Sequence, residues 1–274
     1  MTCRPHLPYQ PKLIVLWLAL LMSQPPFLCA QTPNTVEDLV RRATLIFLGT
    51  VEKAGASTMP AVKANAATAV VRVDQVIDSP GAPPGLAGKP ITVQLLEAGS
   101  VKAGSQSVFF AKGWLLGESM AVIEVGQLGR DTNLQRLTEQ INSVHQKVAD
   151  EALQNQLATA EAVISGRVTS VRRAEIPRIG SEHDPDWFTA MIQVESVIKG
   201  QVPAHEVILL FPHSDDVMWH DSPKFKEGQQ GVWLLHRNQV RLAGIENQLT
   251  ALRPLDFHPR EELGRVERLV KAEP

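Results

Sequence analysis

Residues 211–225, FPHSDDVMWHDSPKF, bring two histidines, three aspartates, a methionine and a tryptophan into one short span. Imidazole nitrogens from His213 and His220, with carboxylate oxygens from Asp215, Asp216 or Asp221, make a donor mixture that zinc or another divalent ion accepts. His183 and Asp184 can add to it from outside the span, and a catalytic zinc would keep one position for water. The spacing matches no established metal motif, and no nearby glutamate has an obvious role as a base. The competing reading is a polar loop in which aspartates cap turns and Met218 and Trp219 cover the mouth of a barrel. That second reading is the expectation: Trp219, Trp187 and Met218 as binding residues and no cofactor. Zinc held among His183, His213, Asp215, Asp216, His220 and Asp221 is the alternative.

Other chemistry is poorly provided for. The chain has no Gly-x-Ser-x-Gly nucleophile and no phosphate-cradling glycine loop. Its two cysteines, Cys3 and Cys29, both fall in the amino-terminal segment. His236 follows the apolar WLL and reads as a hydrogen-bonded structural histidine, while His145 lies in a helical pattern and reads as solvent-facing. These features favour a non-enzymatic protein.

That amino-terminal segment has the three parts of a secretory signal peptide: Arg4 and Lys12, the apolar run LIVLWLALLM from Leu13 to Met22, and small Ala30 as the expected cleavage residue. The run is about half of the ~20 residues a membrane-spanning helix needs. A free exported protein, periplasmic or secreted, is therefore expected, with no membrane span and no disulfides in the mature chain. Removing the leader leaves 25 of the 27 basic residues against 29 acidic ones. A net charge near −4 does not encourage nucleic acid as a partner.

The loop sits within a repeated pattern. ATLIFLGTVEKA from Ala43 aligns with AEAVISGRVTSV from Ala160, and TAVVRVDQVID from Thr68 with TAMIQVESVIK from Thr189. ITVQLL from Ile91 then aligns with VILLF from Val207, and VKAGSQSVFFAK from Val101 with FKEGQQGVWLLH from Phe225. Four blocks in one order imply a duplication. Matching Ile91 to Val207 and Gly104 to Gly228 places about eight extra residues, the HSDDVMWHD region, between the third and fourth strands of the second copy. Loops on a rigid scaffold commonly carry function.

Each block is rich in Val, Ile and Leu and partly alternating, which predicts strands. A fifth strand is expected at Met120 to Val125 and at Val240 to Ile245. Five strands per copy predict small closed barrels, because closure removes exposed sheet edges. Thr132 and Gln135 have capping-box spacing ahead of Leu134, Leu137, Ile141, Val144 and Val148, predicting an amphipathic helix. Short helices are expected at Val36 to Ala43 and Gln154 to Ala160, and another from Pro259 with Leu263, Val266 and Val270 on one side. The fold class is thus mainly β with peripheral helices: a signal peptide at 1–30, a five-stranded OB-like barrel at 31–130, a connecting helix at 131–153, a second such barrel at 154–257 and a terminal helix at 258–274.

The carriers GRVTSV, VESVIKG and EGQQGVWLL, repeated less cleanly as GTVEKA, VDQVID and AGSQSVFF, resemble the OB-fold modules of the netrin-like and tissue-inhibitor-of-metalloprotease kind. The resemblance implies a tandem OB fold. The inhibitors' use of an amino-terminal cysteine on the target's zinc does not carry over, because no cysteine follows Cys29. The functional expectation is an exported, non-enzymatic binding module that presents loops to a protein or small ligand. Its alternative is a metal-binding protein or metal-dependent enzyme centred on residues 211–225.

Overall fold

In the first sheet, residues of alternate sides separate cleanly into an inward and an outward set. The computed structural model describes residues 35–80, 85–116, 119–176, 183–202, 205–237 and 248–272; the expected signal peptide lies outside them. Helix α1 (Val36–Arg42) opens with Thr35, whose hydroxyl accepts the Asp38 N–H at 3.1 Å while the Asp38 carboxylate accepts the Thr35 N–H at 3.2 Å. Then follow β1 (Leu45–Ala54), β2 (Thr68–Asp78), β3 (Pro90–Gln94), β4 (Gln106–Leu116) and β5 (Met120–Gly129). They close into a barrel in the order β1-β2-β3-β5-β4, β3 and β5 running parallel.

Phe47, Val51, Val71, Val93 and Phe109 fill the barrel, with the Phe47 and Phe109 rings stacked at 5.3 Å. Their strand neighbours Ile46, Val108, Phe110 and Val125 point outward, against Leu39 and Val40 of α1 and Leu137, Ile141 and Val144. Those last three belong to α2 (Leu134–Thr159). Its cap is Asn133, whose side chain accepts the Arg136 N–H at 3.0 Å, whereas the expected cap Thr132 donates its hydroxyl to the Gly129 carbonyl. One helix replaces the expected pair at 131–153 and 154–160. The intervening run ADEALQNQ contains no glycine or proline to stop it.

The second sheet contains β6 (Ala162–Arg173), β7 (Asp186–Lys199), β8 (Glu206–His213), β9 (Gln230–Leu235), β10 (Leu249–Thr250) and β11 (Phe257–Pro259). Its order is β10-β8-β7-β6-β9-β11, a curled sheet where a second closed five-stranded barrel was expected. The expected strand at Val240 to Ile245 lies outside the described residues. The two outer strands, β10 and β11, are separated by a short stretch that includes the helical turn Pro254–Asp256. Thr250 and His236 exchange backbone hydrogen bonds of 2.8 and 3.0 Å, joining β10 to the end of β9. After β11, α3 (Leu263–Lys271) begins at Leu263 and not at Pro259, because the chain is still paired to β9 through Pro259. Val266 of α3 packs with Leu153 and Leu157 of α2 on Val163, Val232 and Leu234.

The pairing of the two leading hairpins agrees in detail. Register shifts fall between Ile46 and Phe47, Leu48 and Gly49, and Val51 and Lys53 in one. In the other they fall between Val163 and Ile164, Ser165 and Gly166, and Val168 and Ser170. Bulges bend and coil a strand, and the matched glycines explain how tightly. A Cβ on Gly49 would lie 2.6 Å from Val71 Cγ1, and one on Gly166 would lie 2.3 Å from the Gln193 carbonyl oxygen. Phe109 and Trp233 face the two interiors from matching places, opposite Phe47 and Ile164.

Candidate functional site

The loop after β8 leaves the strand at His213 and is held by side chains of its own. Asp216 N–H donates to the Ser214 hydroxyl at 3.1 Å, the Asp216 carboxylate accepts the Met218 N–H at 2.8 Å, and Trp219 N–H donates to the Asp216 carbonyl at 2.8 Å. These are the turn-capping bonds that aspartate and serine favour. Across the loop, His183 Nδ1 lies 3.0 Å from the other Asp216 oxygen. The His183 contact first, then the Met218 N–H, holds the Asp216 carboxyl below the usual aspartate range.

Lys224 organises the far side. Its ammonium donates to the carbonyls of Trp219, His220 at 3.3 Å and Ser222 at 2.9 Å. Burial pushes the Lys224 pKa down, while Asp215 and Asp221 act to raise it. The loop is therefore built around a side-chain cation. Sequence reasoning missed this role, although Lys224 is the only basic side chain, histidine aside, in residues 211–225.

The binding residues expected from sequence separate into two kinds. Trp187 and Trp219 are not free anchors: their rings meet edge to face at 5.5 Å, and Trp219 Nε1 donates to the His183 carbonyl at 2.8 Å. With Leu210, Ile176 and Leu252 they form a small apolar cluster beneath the loop. Met218, expected to lie over the barrel mouth, is instead exposed at 64%, beside Val217 at 83%, which the sequence reading did not single out. These two apolar side chains stand on a turn flanked by the bonded Asp216 and Trp219.

Of the residues considered as metal ligands, His183 and Asp216 meet. His213, Asp215, His220 and Asp221 stay exposed, and the His213 ring lies 5.0 Å from Phe188. Among the described residues, no three His, Cys, Asp or Glu side chains converge as a metal ion would require.

A second polar cluster is buried. Asp256, fully enclosed, accepts at one carboxylate oxygen from Gln156 Nε2 at 2.5 Å and from His236 Nε2 at 3.0 Å. Its other oxygen accepts the N–H groups of Leu252 and Arg253 at 2.8 and 2.9 Å. Arg253 in turn donates to Gln156 Oε1 at 3.0 Å. His236 is thus structural, as its sequence context implied. The cluster stabilises the break between β10 and β11.

Comparison of the chain with models of known protein families and with curated proteins finds no match.

Proposed function

We propose that this protein is an exported, non-enzymatic binding module, a duplicated OB-like barrel of the netrin-like kind that presents the loop after β8 to a protein partner. The observation that carries this reading is the pair Val217 and Met218, both mostly exposed on a turn made rigid by Asp216, Lys224 and the Trp187–Trp219 contact. Apolar side chains on a preorganised loop lose less entropy on docking, which leaves more of their burial as affinity. A small ligand would need a concavity, whereas this turn projects. The duplication is supported by the matching register shifts and by the corresponding interior places of Phe109 and Trp233. Export is supported by the amino-terminal run of apolar residues behind Arg4 and Lys12.

A photo-crosslinking residue in place of Met218, introduced in the native cell, tests the reading. One discrete adduct is expected, and adding Val217→Asp should remove it. If no adduct forms, or if the adduct survives Val217→Asp, the loop is not the docking surface. Sequencing the amino terminus of the same purified protein tests export, with Gln31 expected as the first residue.

A further inference from the structure

A cleft on the first barrel is built from residues that take no part in the loop after β8. It has a volume of about 240 Å³ and is lined by Leu39, Leu96, Glu97, Glu124, Gly126 and Leu128, among others. Glu124 on β5 is 4% exposed. One of its carboxylate oxygens accepts the Leu96 N–H at 3.1 Å, and among the described residues the other has no hydrogen-bond partner and the carboxylate no ion pair. Burial raises the Glu124 carboxyl above the usual glutamate range; the Leu96 N–H acts against that and the charge of Glu97 adds to it. A mostly buried carboxylate without a counter-charge, facing an open cleft, favours a cationic partner.

The second sheet shows how such a corner is completed from within. Leu39 precedes β1 as Gln156 precedes β6. Gly126 stands next to the residue paired with Phe109, and Asp256 next to the residue paired with Trp233. Leu39 lies against Gly126, so closely that a Cβ there would fall 2.5 Å from Leu39 Cδ2. At the corresponding places Gln156 meets Asp256, whose carboxylate also takes His236 and two backbone N–H groups. In the second sheet, then, the carboxylate at the place of Gly126 is fully supplied with donors. In the first, that place is a glycine, and Glu124, two residues earlier on β5, has one donor beside open space flanked by leucine side chains.

We propose that the cleft at Glu124 binds a small aliphatic amine, its ammonium on the Glu124 carboxylate and its hydrocarbon chain along Leu39, Leu96 and Leu128. The ammonium supplies the missing donors and the counter-charge together. The leucines supply apolar contact for the chain. Glu97 at the rim adds a second negative charge that favours a cation over a neutral molecule.

The probe is n-pentylamine hydrochloride, titrated at neutral pH into the full chain while the Leu96 amide is followed by NMR. A saturable shift is expected in the wild type. Glu124→Gln should bind at least about tenfold more weakly, the loss of a charge-assisted contact. n-Pentanol should bind no better to the wild type than the amine does to the variant. In the wild type alone, the Glu124 carboxyl carbon should titrate at lower pH when amine is saturating, because the ligand favours the charged form. An unshifted titration, equal binding by Glu124→Gln, or pentanol matching the amine would each overturn the proposal. So would calcium chloride producing the Leu96 shift where the amine does not.

Discussion

Glu124 and Lys224 are opposite cases of one problem, a charged group drawn into protein. Lys224 solves it with three carbonyl oxygens; Glu124 has one N–H donor. Because the Glu124 carboxyl is raised above its ordinary 4.5 in the folded state, the native protein binds that proton more tightly than the unfolded chain. Stability from this group is therefore greatest below about 4.5 and falls as pH rises through the folded value. Glu124→Gln keeps an oxygen for the Leu96 N–H and removes the charge. It should melt at a higher temperature than the wild type in mildly alkaline buffer, with the difference shrinking in acid. A difference independent of pH would count against the assignment. Lys224→Met should leave carbonyls of the loop without their donor, cost about 1–2 kcal/mol in chemical denaturation, and shift Trp219 emission to the red as the ring leaves Trp187.

At the scale of elements, the telling feature is the stretch between β10 and β11. β5 runs unbroken along the first barrel, but the second sheet reaches β9 with two short strands divided by a helical turn. A break in a sheet leaves backbone groups to be satisfied, and Asp256 accepts two of them while joining them to α2 through Gln156 and to β9 through His236. Asp256→Ala should therefore destabilise by about 3–5 kcal/mol, the range for removing one partner of a buried charged network. A loss below about 1 kcal/mol, typical of surface changes, would mean the turn holds without it. Strands and their alternation in the first barrel were legible beforehand, in Val71, Val73, Ile91 and Val93, but not the parallel pairing of β3 with β5. The turn at Pro254–Asp256 was not, because its partners are Gln156 and His236, far away in the chain.

At the scale of the molecule, α2 joins the two sheets. Its first half packs on the barrel through Leu137, Ile141 and Val144, with Lys147 and Glu151 paired to Glu37 and Arg41 of α1 at 2.7 and 2.8 Å. These contacts hold the Glu37 and Glu151 carboxyls below the usual range. Its last turns pack on the second sheet through Leu153 and Leu157, and Asp150 pairs with Arg265 of α3 at 2.7 Å. With 26 residues the helix is about 39 Å long. Ala152 lies between the two sets of contacts with its side chain exposed. Ala152→Pro removes a helical hydrogen bond there at a cost of about 3 kcal/mol. Calorimetry should show one unfolding transition for the wild type and two for the variant, the sheets melting separately. A single shifted transition would mean that they are coupled by more than the helix.

The sequence by itself determined what depends on neighbours along the chain. Alternation in TAVVRV and ITVQLL marks strands, and Leu134, Leu137 and Ile141 mark a helix, because side-chain direction repeats with backbone geometry. The glycines Gly49 and Gly166, each beside a register shift of its hairpin, were also legible, since an alignment of blocks needs no coordinates. Only the tertiary structure decided which polar groups meet. Trp187 covers Trp219, His183 rather than His213 or His220 reaches Asp216, and Asp256 gathers Gln156 and His236. Glu124 is mostly buried, without a counter-charge among the described residues, for the same reason: burial and partnership are set by residues distant in the chain, and local periodicity carries no record of them.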